Sequence, residues 1–206
     1  MPMAATPRAE HVFKLLVTGP YAAGKTSLIR SVSHTRVVAT DVDTSGVESE
    51  VKTHTTVAMD FGTYSLADES GDGDVRLLMY GTPGQPRFGF MTDVMKGAVD
   101  AVVFVVDAEA ADTHTEAGAA MRALLADIRV PVVVAVNRCD DAAHAEMLAR
   151  SLGALAREAA VPCQLISADS AREVVIEALL AVLDRIERGD VDVIEPLDRV
   201  LRLAAA

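Results

Sequence analysis

Apolar residues recur along this chain in two rhythms, and the alternation between them lays out the elements. After a polar stretch at residues 1–10, read as a flexible tail, "HVFKLLVTG" is strand-like and feeds a glycine loop. "GKTSLIRSV" then reads as helix. "TTVAMDFGTYSLA" and "DVRLLMYG" flank the turn formers "DESGDGD", which include Asp72 and Asp74, and so predict an antiparallel hairpin. "DAVVFVVDA" and "VPVVVAVN" are short and β-branched, apolar on both faces, as suits central strands of a parallel sheet covered by helices. Helical periodicity marks roughly 113–127, 142–159 and 171–188. In the last of these, Val175, Leu179, Val182 and Ile186 recur at three and four. Ser170 with Glu173 makes a capping-box pattern, and Gly189 stands just past the end. "VPCQLIS" predicts the final strand, with Cys163 near its start. "IEPLDRVLRL", with Pro196 at a helix start, predicts a short closing helix.

Strand–helix alternation of this kind implies an α/β fold: an open, mainly parallel sheet with one antiparallel edge strand from the hairpin and helices on both faces. Ligands bind such sheets at the carboxyl ends of the strands. No repeat, linker or low-complexity segment interrupts the pattern. The 206 residues are most simply a tail, 1–10, and one domain, 11–206, closed by the short C-terminal helix.

Half of the chain is apolar and 24% charged, ordinary for a globular protein. The formal charge of −11 argues against wrapping nucleic acid or lying on an anionic membrane. Any phosphate site must therefore be local. Four lysines stand against fifteen arginines, so a lysine in a loop is not one of a crowd. "MPMAATPRAEHVFKLLV" lacks the basic leader of a signal peptide, neither end carries a lipidation motif, and no apolar run is long enough to span a bilayer. Two cysteines, Cys139 and Cys163, fit a reduced compartment without a disulfide framework. The expectation is a cytoplasmic protein. His11, His34, His54, His114 and His144 have no metal-ligand spacing.

"GPYAAGKT", Gly19 to Thr26, has the spacing of a phosphate-binding loop and lies between a predicted strand and a predicted helix, the context that supports the motif over a chance glycine turn. The backbone N–H groups of Gly19, Tyr21, Ala22, Ala23, Gly24 and on to Ser27 are candidates to cradle phosphate oxygens at the helix N-terminus. Lys25 would reach the β- and γ-phosphates, and Thr26 would offer its hydroxyl to Mg²⁺.

The base is addressed by "NRCD", Asn137 to Asp140, which begins 111 residues after Thr26 at the end of a predicted central strand. A carboxylate there can accept from the N1–H and N2–H₂ edge of guanine. Adenine offers neither donor, and a site built for such bonds can reject the analogue lacking them by about 10⁴–10⁵. "SAD" (Ser167, Ala168, Asp169) follows the next strand and is suited to meeting the guanine carbonyl with a backbone N–H. An ordinary strand-end turn is the competing reading, weakened by the order and spacing behind a phosphate loop.

With these motifs, the chain resembles the Ras-like small GTPases from about His11 to Arg188. "TTVAMDFG" is similar to the Rab-type "TIGVDF" stretch, and "GTPGQPRF" falls where that family carries "DTAGQ". The resemblance implies GTP and GDP as ligands and Mg²⁺ as cofactor. It makes Thr56 the switch-one threonine on the metal, brings Gly84 to the γ-phosphate and makes Gln85 the glutamine that orients the attacking water. Arg138 replaces the usual lysine beside the base, where its aliphatic stem could cover the ring. Asp169 replaces a lysine whose place matters little if the backbone makes the contact.

Three features depart from that pattern. Gly81 stands where the family has a metal-associated aspartate. The same loss, with "PGQ" for "AGQ", is found in the bacterial polarity and gliding-motility GTPases and in actinobacterial GTPases encoded beside roadblock proteins, which this chain resembles most. That resemblance implies a roadblock-type regulator. Tyr21 replaces a glycine beside the γ-phosphate; it either obstructs an arginine finger, an element contributing about 10³–10⁵ in rate, or simply packs over the switches. Thirty residues separate Thr26 from Thr56, a long first switch that is either a partner-binding element or a surface loop.

These residues point to a switch hydrolysing GTP slowly, with Lys25 and Gln85 in the chemistry and switches at about 36–56 and 81–95. Gln85 could instead be a surface residue stiffened by Pro86. Arg36 and Arg87 are candidate internal fingers or partner contacts, and Asp107 is a candidate structural hydrogen-bonder. Gly81 and Tyr21 also admit a non-catalytic GTP/GDP-binding scaffold. An adenylate-specific kinase or ATPase is disfavoured by "NRCD" and by the lack of a second substrate domain.

Overall fold

A computed structural model of the protein describes residues 10–34, 59–66, 74–84, 89–95 and 97–189. Six strands, β1 (Glu10–Thr18), β2 (Asp60–Leu66), β3 (Asp74–Gly81), β4 (Ala101–Asp107), β5 (Val132–Asn137) and β6 (Ala159–Cys163), form one sheet in the order β2-β3-β1-β4-β5-β6. Every neighbouring pair is parallel except β2 with β3, which makes β2 the antiparallel edge. The helices are α1 (Lys25–Val32), α2 (Gly89–Met95), α3 (His114–Asp127), α4 (Ala142–Leu152) and α5 (Ala168–Glu187).

The sheet carries a core on each face, because strand residues alternate between faces. Leu15 and Val17 of β1 pack with Leu28 and Ile29 of α1 and with Val174 and Leu179 of α5. Leu16, between them, belongs to the opposite core with Met121 of α3 and Leu148 of α4. β4 and β5 are buried at every position, which is why both read as continuous β-branched runs. Each such Val or Leu contributes roughly 1.5–3 kcal/mol by leaving water.

Handedness then determines which face each helix takes. The chain steps outward from β4 to β5 to β6 through α3 and α4 on one face, and from β1 toward β3 in the other direction with α1 on the opposite face, as right-handed crossovers require. The carboxyl ends of β1, β3, β4, β5 and β6 consequently share one rim. The expected open α/β sheet, with one antiparallel edge and helices on both faces, is the observed one.

Boundaries differ from expectation at three places. The helix expected over 142–159 ends at Leu152, because Gly153 turns left-handed (φ +108) and Ala154 N–H bonds back to Ala149. The helical rhythm beyond it belongs to a loop held by the buried Glu158 carboxylate, which accepts from Leu155 N–H (2.5 Å) and Arg157 Nε (2.8 Å). β6 therefore spans 159–163, and Cys163 closes the strand that "VPCQLIS" had it begin. Helix α5 starts at Ala168 with Ser167 in the cap position, so Ser170 and Glu173 are not a capping box. Ser170 Oγ accepts from Gln164 N–H instead (2.9 Å) and ties the turn before α5 to its first turn. Glu10, expected in the tail, opens β1; residues 1–9, the expected first switch with Arg36 and Thr56, the tip of the hairpin, Gln85 to Arg87 and the expected closing helix lie outside the described residues.

Candidate functional site

Two loops meet at the rim, and one buried asparagine joins them. β1 ends at Thr18, residues 19–24 form the loop, and α1 begins at Lys25. Ala22 (φ +59) and Gly24 (φ +115) take left-handed conformations that turn the loop tightly. Glycine is needed at 24 for a second reason: a Cβ there would lie 2.5 Å from Asn137 Nδ2 and 3.3 Å from the Leu165 side chain. Asn137 Nδ2 donates to Ala23 O (3.0 Å), while its Oδ1 accepts from Leu165 N–H (3.0 Å). Asn137 thus fastens the glycine loop, the end of β5 and the turn after β6 into one body.

Lys25 is buried, and its Nζ donates to the loop's own carbonyls, Gly19 O (2.9 Å) and Pro20 O (2.5 Å). Burial lowers its pKa to about 8, only partly opposed by the charge of Asp60. The first turn of α1 holds no acidic side chain, so its N-terminal N–H groups face no competing anion from their own helix. Ser27 is exposed on that turn. Gly84 lies over the loop: a Cβ on it would fall 2.5 Å from Lys25 Nζ and 2.6 Å from Tyr21 N. The Tyr21 side chain stands mostly in solvent, with the residue 69% exposed.

Opposite Gly81, across the strand pair, stands a carboxylate. Asp60 is the direct partner of Gly81 in the β2–β3 register. The Thr26 hydroxyl donates to Asp60 Oδ2. A Cβ at Gly81 would meet Asp60 Cβ at 3.0 Å and Ile29 Cδ1 at 2.8 Å, so a second carboxylate there would be crowded. A hydroxyl and a hard carboxylate side by side at the start of α1 fit Mg²⁺, which is bound through oxygen and keeps substrate phosphates and waters as further ligands. Among the described residues no group of three or more His, Cys, Asp or Glu could hold a metal, so Thr26 and Asp60 would rely on phosphate oxygens.

Further hydroxyls tie the end of β1 to the residue after β3 and to α2. Thr82 Oγ1 donates to Thr18 Oγ1 (2.9 Å), which lies 3.1 Å from Thr92 Oγ1 on α2.

After β5, Asp140 is exposed, and Gln164 Nε2 donates to its Oδ1 (3.1 Å). Asp141 caps α4 by accepting from Ala143 N–H (2.9 Å). Arg138 has left-handed backbone (φ +57), and its guanidinium pairs with Asp107 Oδ2. Asp107 is buried, and its other oxygen accepts from Glu109 N–H (3.0 Å), the structural role anticipated for it. Ser167 N–H is used by Gln164 O (2.8 Å), and the N–H groups of Ala168 and Asp169 belong to the first turn of α5, which has no carbonyl partner within its own helix. The Asp169 carboxylate turns away to Arg172 (2.5 Å). Cys139 is buried with its thiol on Asp141 O (3.3 Å), and burial pushes Cys163 up to about 12.

The structure therefore brings together the glycine loop, Gly84, Asn137 to Asp140 and the start of α5, whereas Thr56 and Gln85 lie outside the described residues. Asp60 and Gln164 were missed by the sequence reading. Asp60 had a signal, since a carboxylate opens the strand that faces Gly81; Gln164 had none, because its bond depends on how two loops approach.

Residues 37–188, about three quarters of the chain, match the family described as "Conserved hypothetical ATP binding protein". The chain belongs to this family. The matched stretch begins beyond the glycine loop and includes Asp60, Gly81, Asn137 to Asp140 and α5. A P-loop nucleotide-binding protein is thus supported from two directions, the loop with its strand–helix setting and the family match outside it.

Proposed function

We propose that this member of the conserved hypothetical ATP-binding family is a guanine-nucleotide switch that hydrolyses GTP slowly. The observation that carries the reading is Asp140: a carboxylate at the rim, held by Gln164 and fastened through Asn137 to the phosphate loop. With one Asp140 oxygen engaged by Gln164, its free lone pairs accept from guanine N1–H and N2–H₂, while the N–H groups of Ala168 and Asp169 face the O6 carbonyl. Adenine leaves the carboxylate unpaired. The ion pair to Asp107 occupies the Arg138 head, and its methylenes remain to cover the ring.

At the phosphate end, the loop N–H groups from Gly19 to Ser27 bind oxygens, and Lys25 exchanges Gly19 O and Pro20 O for the β- and γ-phosphates. Bound Mg²⁺ would neutralise phosphate charge as it develops. Thr26 and Thr56 would ligate it, with Asp60 standing in for the carboxylate absent at position 81. Gln85 orients the attacking water. Gly84, lying over Lys25, must give way to the γ-phosphate, which orders the two switches until hydrolysis releases them. A roadblock-type regulator, implied by resemblance, would act on those switches in a single cytoplasmic GTP-binding domain.

The family's description favours a second reading, ATP as the ligand. Displacement of a fluorescent GDP from the full chain separates the two. GTP competing at least about 10³-fold better than ATP supports the guanine site, in line with hydrogen-bond-based discrimination; equal competition ends it. Single-turnover hydrolysis, with protein in excess and Gln85→Ala alongside, then tests catalysis. Slow GDP formation lost in Gln85→Ala is the expected result, and tight binding without turnover would leave a non-catalytic scaffold.

A further inference from the structure

At the opposite end of the sheet from the glycine loop, a groove of about 550 Å³ runs between the last turns of α5 and the amino ends of β5 and β6. Its floor is apolar, from Val130, Ala181 and Leu180, the last 39% exposed. Four arginines rim it: Arg129, Arg157, Arg185 and Arg188. Arg157 pairs with Glu158 (2.8 Å) and Arg188 with Asp184 (2.8 Å), whereas Arg129 and Arg185 make no ion pair among the described residues. Glu158, Glu177 and Asp184 also line the groove; with Glu158 and Asp184 taken up by their arginine partners and Glu177 the one further carboxylate, the lining keeps a small positive excess on a chain of net charge −11, with apolar ground beneath it.

The chain itself delivers a complement. α5 ends at Glu187, Arg188 lines the groove, and Gly189 (φ +74) bends the backbone. The next residues are "DVDVIEPLD", 190–198, with Asp190, Asp192, Glu195 and Asp198 interleaved with Val191, Val193, Ile194 and Leu197. We propose that residues 190–198 dock in this groove, their acidic side chains toward Arg129 and Arg185 and their apolar ones over Val130, Leu180 and Ala181.

Tethering favours this occupant over any other. A segment joined directly to the rim acts at an effective concentration on the order of millimolar, which a free acidic partner seldom reaches. The alternative for such a segment, a seventh strand beside β6, is opposed by topology. Leaving the end of α5 at the amino end of β6, it would run parallel to β6. A right-handed outward crossover needs its helix on the α3–α4 face, and α5 packs on the α1 face. Pro162 also removes a ladder N–H from the β6 edge.

Hydrogen–deuterium exchange of the full chain tests the docking. In dilute parent protein, amides of 190–198 should exchange at least about tenfold more slowly than a free chain. Arg129→Glu with Arg185→Glu should remove that protection while β5 stays protected, which reports an intact fold. Adding Asp190→Arg with Asp192→Arg should restore it. Free-chain exchange at 190–198 in the parent overturns the proposal, as does protection indifferent to the charge reversals. Protection that fades on dilution also overturns it, in favour of a second copy as occupant.

Discussion

Thr26 donates its hydroxyl to Asp60, and Asp60 stands directly across the β2–β3 pair from Gly81. The Asp60 carboxylate is thereby aimed from the edge strand at the first turn of α1. Removing its charge with Asp60→Asn should weaken Mg²⁺-dependent GDP retention by about 10–100-fold, the usual cost of losing an outer partner of a metal ligand. GDP dissociation followed across Mg²⁺ concentrations would measure this, and an unchanged rate would remove Asp60 from the site. Gly81→Asp should recover part of the loss only when combined with Asp60→Gly and Ile29→Val, since alone it meets Asp60 and the Ile29 Cδ1 methyl.

Lys25 predicts a pH dependence with a definite sign. Burial holds its pKa at about 8 without bound phosphate, below the ordinary 10.5. Bound phosphates would raise it again. Between those values, binding takes up a proton, so nucleotide affinity should be flat below pH 8 and fall as pH rises above it, up to about tenfold per unit. For the empty protein the sign reverses: its folded pKa is depressed, so the charged lysine's cost to stability is full below pH 8 and relieved as pH climbs toward 10.5. Calorimetric titrations in buffers of different ionisation enthalpy would show the proton uptake at pH 9. Its persistence in Lys25→Met would assign it elsewhere.

Asn137 is expected to matter for stability as well as for ligand. Truncation in Asn137→Ala leaves Ala23 O and Leu165 N–H without the partner each now has. A buried group left unsatisfied costs about 1–3 kcal/mol, and thermal melts of the nucleotide-free protein should register it. A melt identical to the parent would mean that water replaces the amide at no cost.

Gln164 donates to Asp140, and in the proposed guanine site this bond would position the carboxylate. Replacing Gln164 by Leu should lower the preference for GTP over ATP by about fivefold, the worth of one hydrogen bond of about 1 kcal/mol. Asp140→Ala should abolish the preference. The two variants compared in the same displacement assay separate positioning from contact, and a Gln164→Leu protein with full discrimination would show the bond to be incidental.

Cys163 should be inert. Burial pushes its thiol to about 12, so at pH 8 it presents almost no thiolate. Alkylation of the native protein should leave it unmodified until denaturant opens the β6–α5 core, and rapid modification in buffer would contradict that packing.

The order of strands and helices was legible in residue order because burial leaves a local signature. β4 and β5, covered on both faces, had to be apolar throughout, and β1 reveals its alternating faces in Leu15, Leu16 and Val17. The glycine loop was legible for a similar reason, since its spacing encodes backbone geometry. Limits of elements were less so. The rhythm past Leu152 looks helical, and only Gly153's left-handed turn and the bonds to buried Glu158 end the helix there. What tertiary structure alone decided are the bonds between elements distant in sequence. Thr26 meets Asp60 34 residues away, Asn137 reaches Ala23 across 114, and Gln164 reaches Asp140 across 24. Periodicity reports what each residue's own neighbours demand, whereas these contacts exist because right-handed crossovers bring the strand ends to one rim.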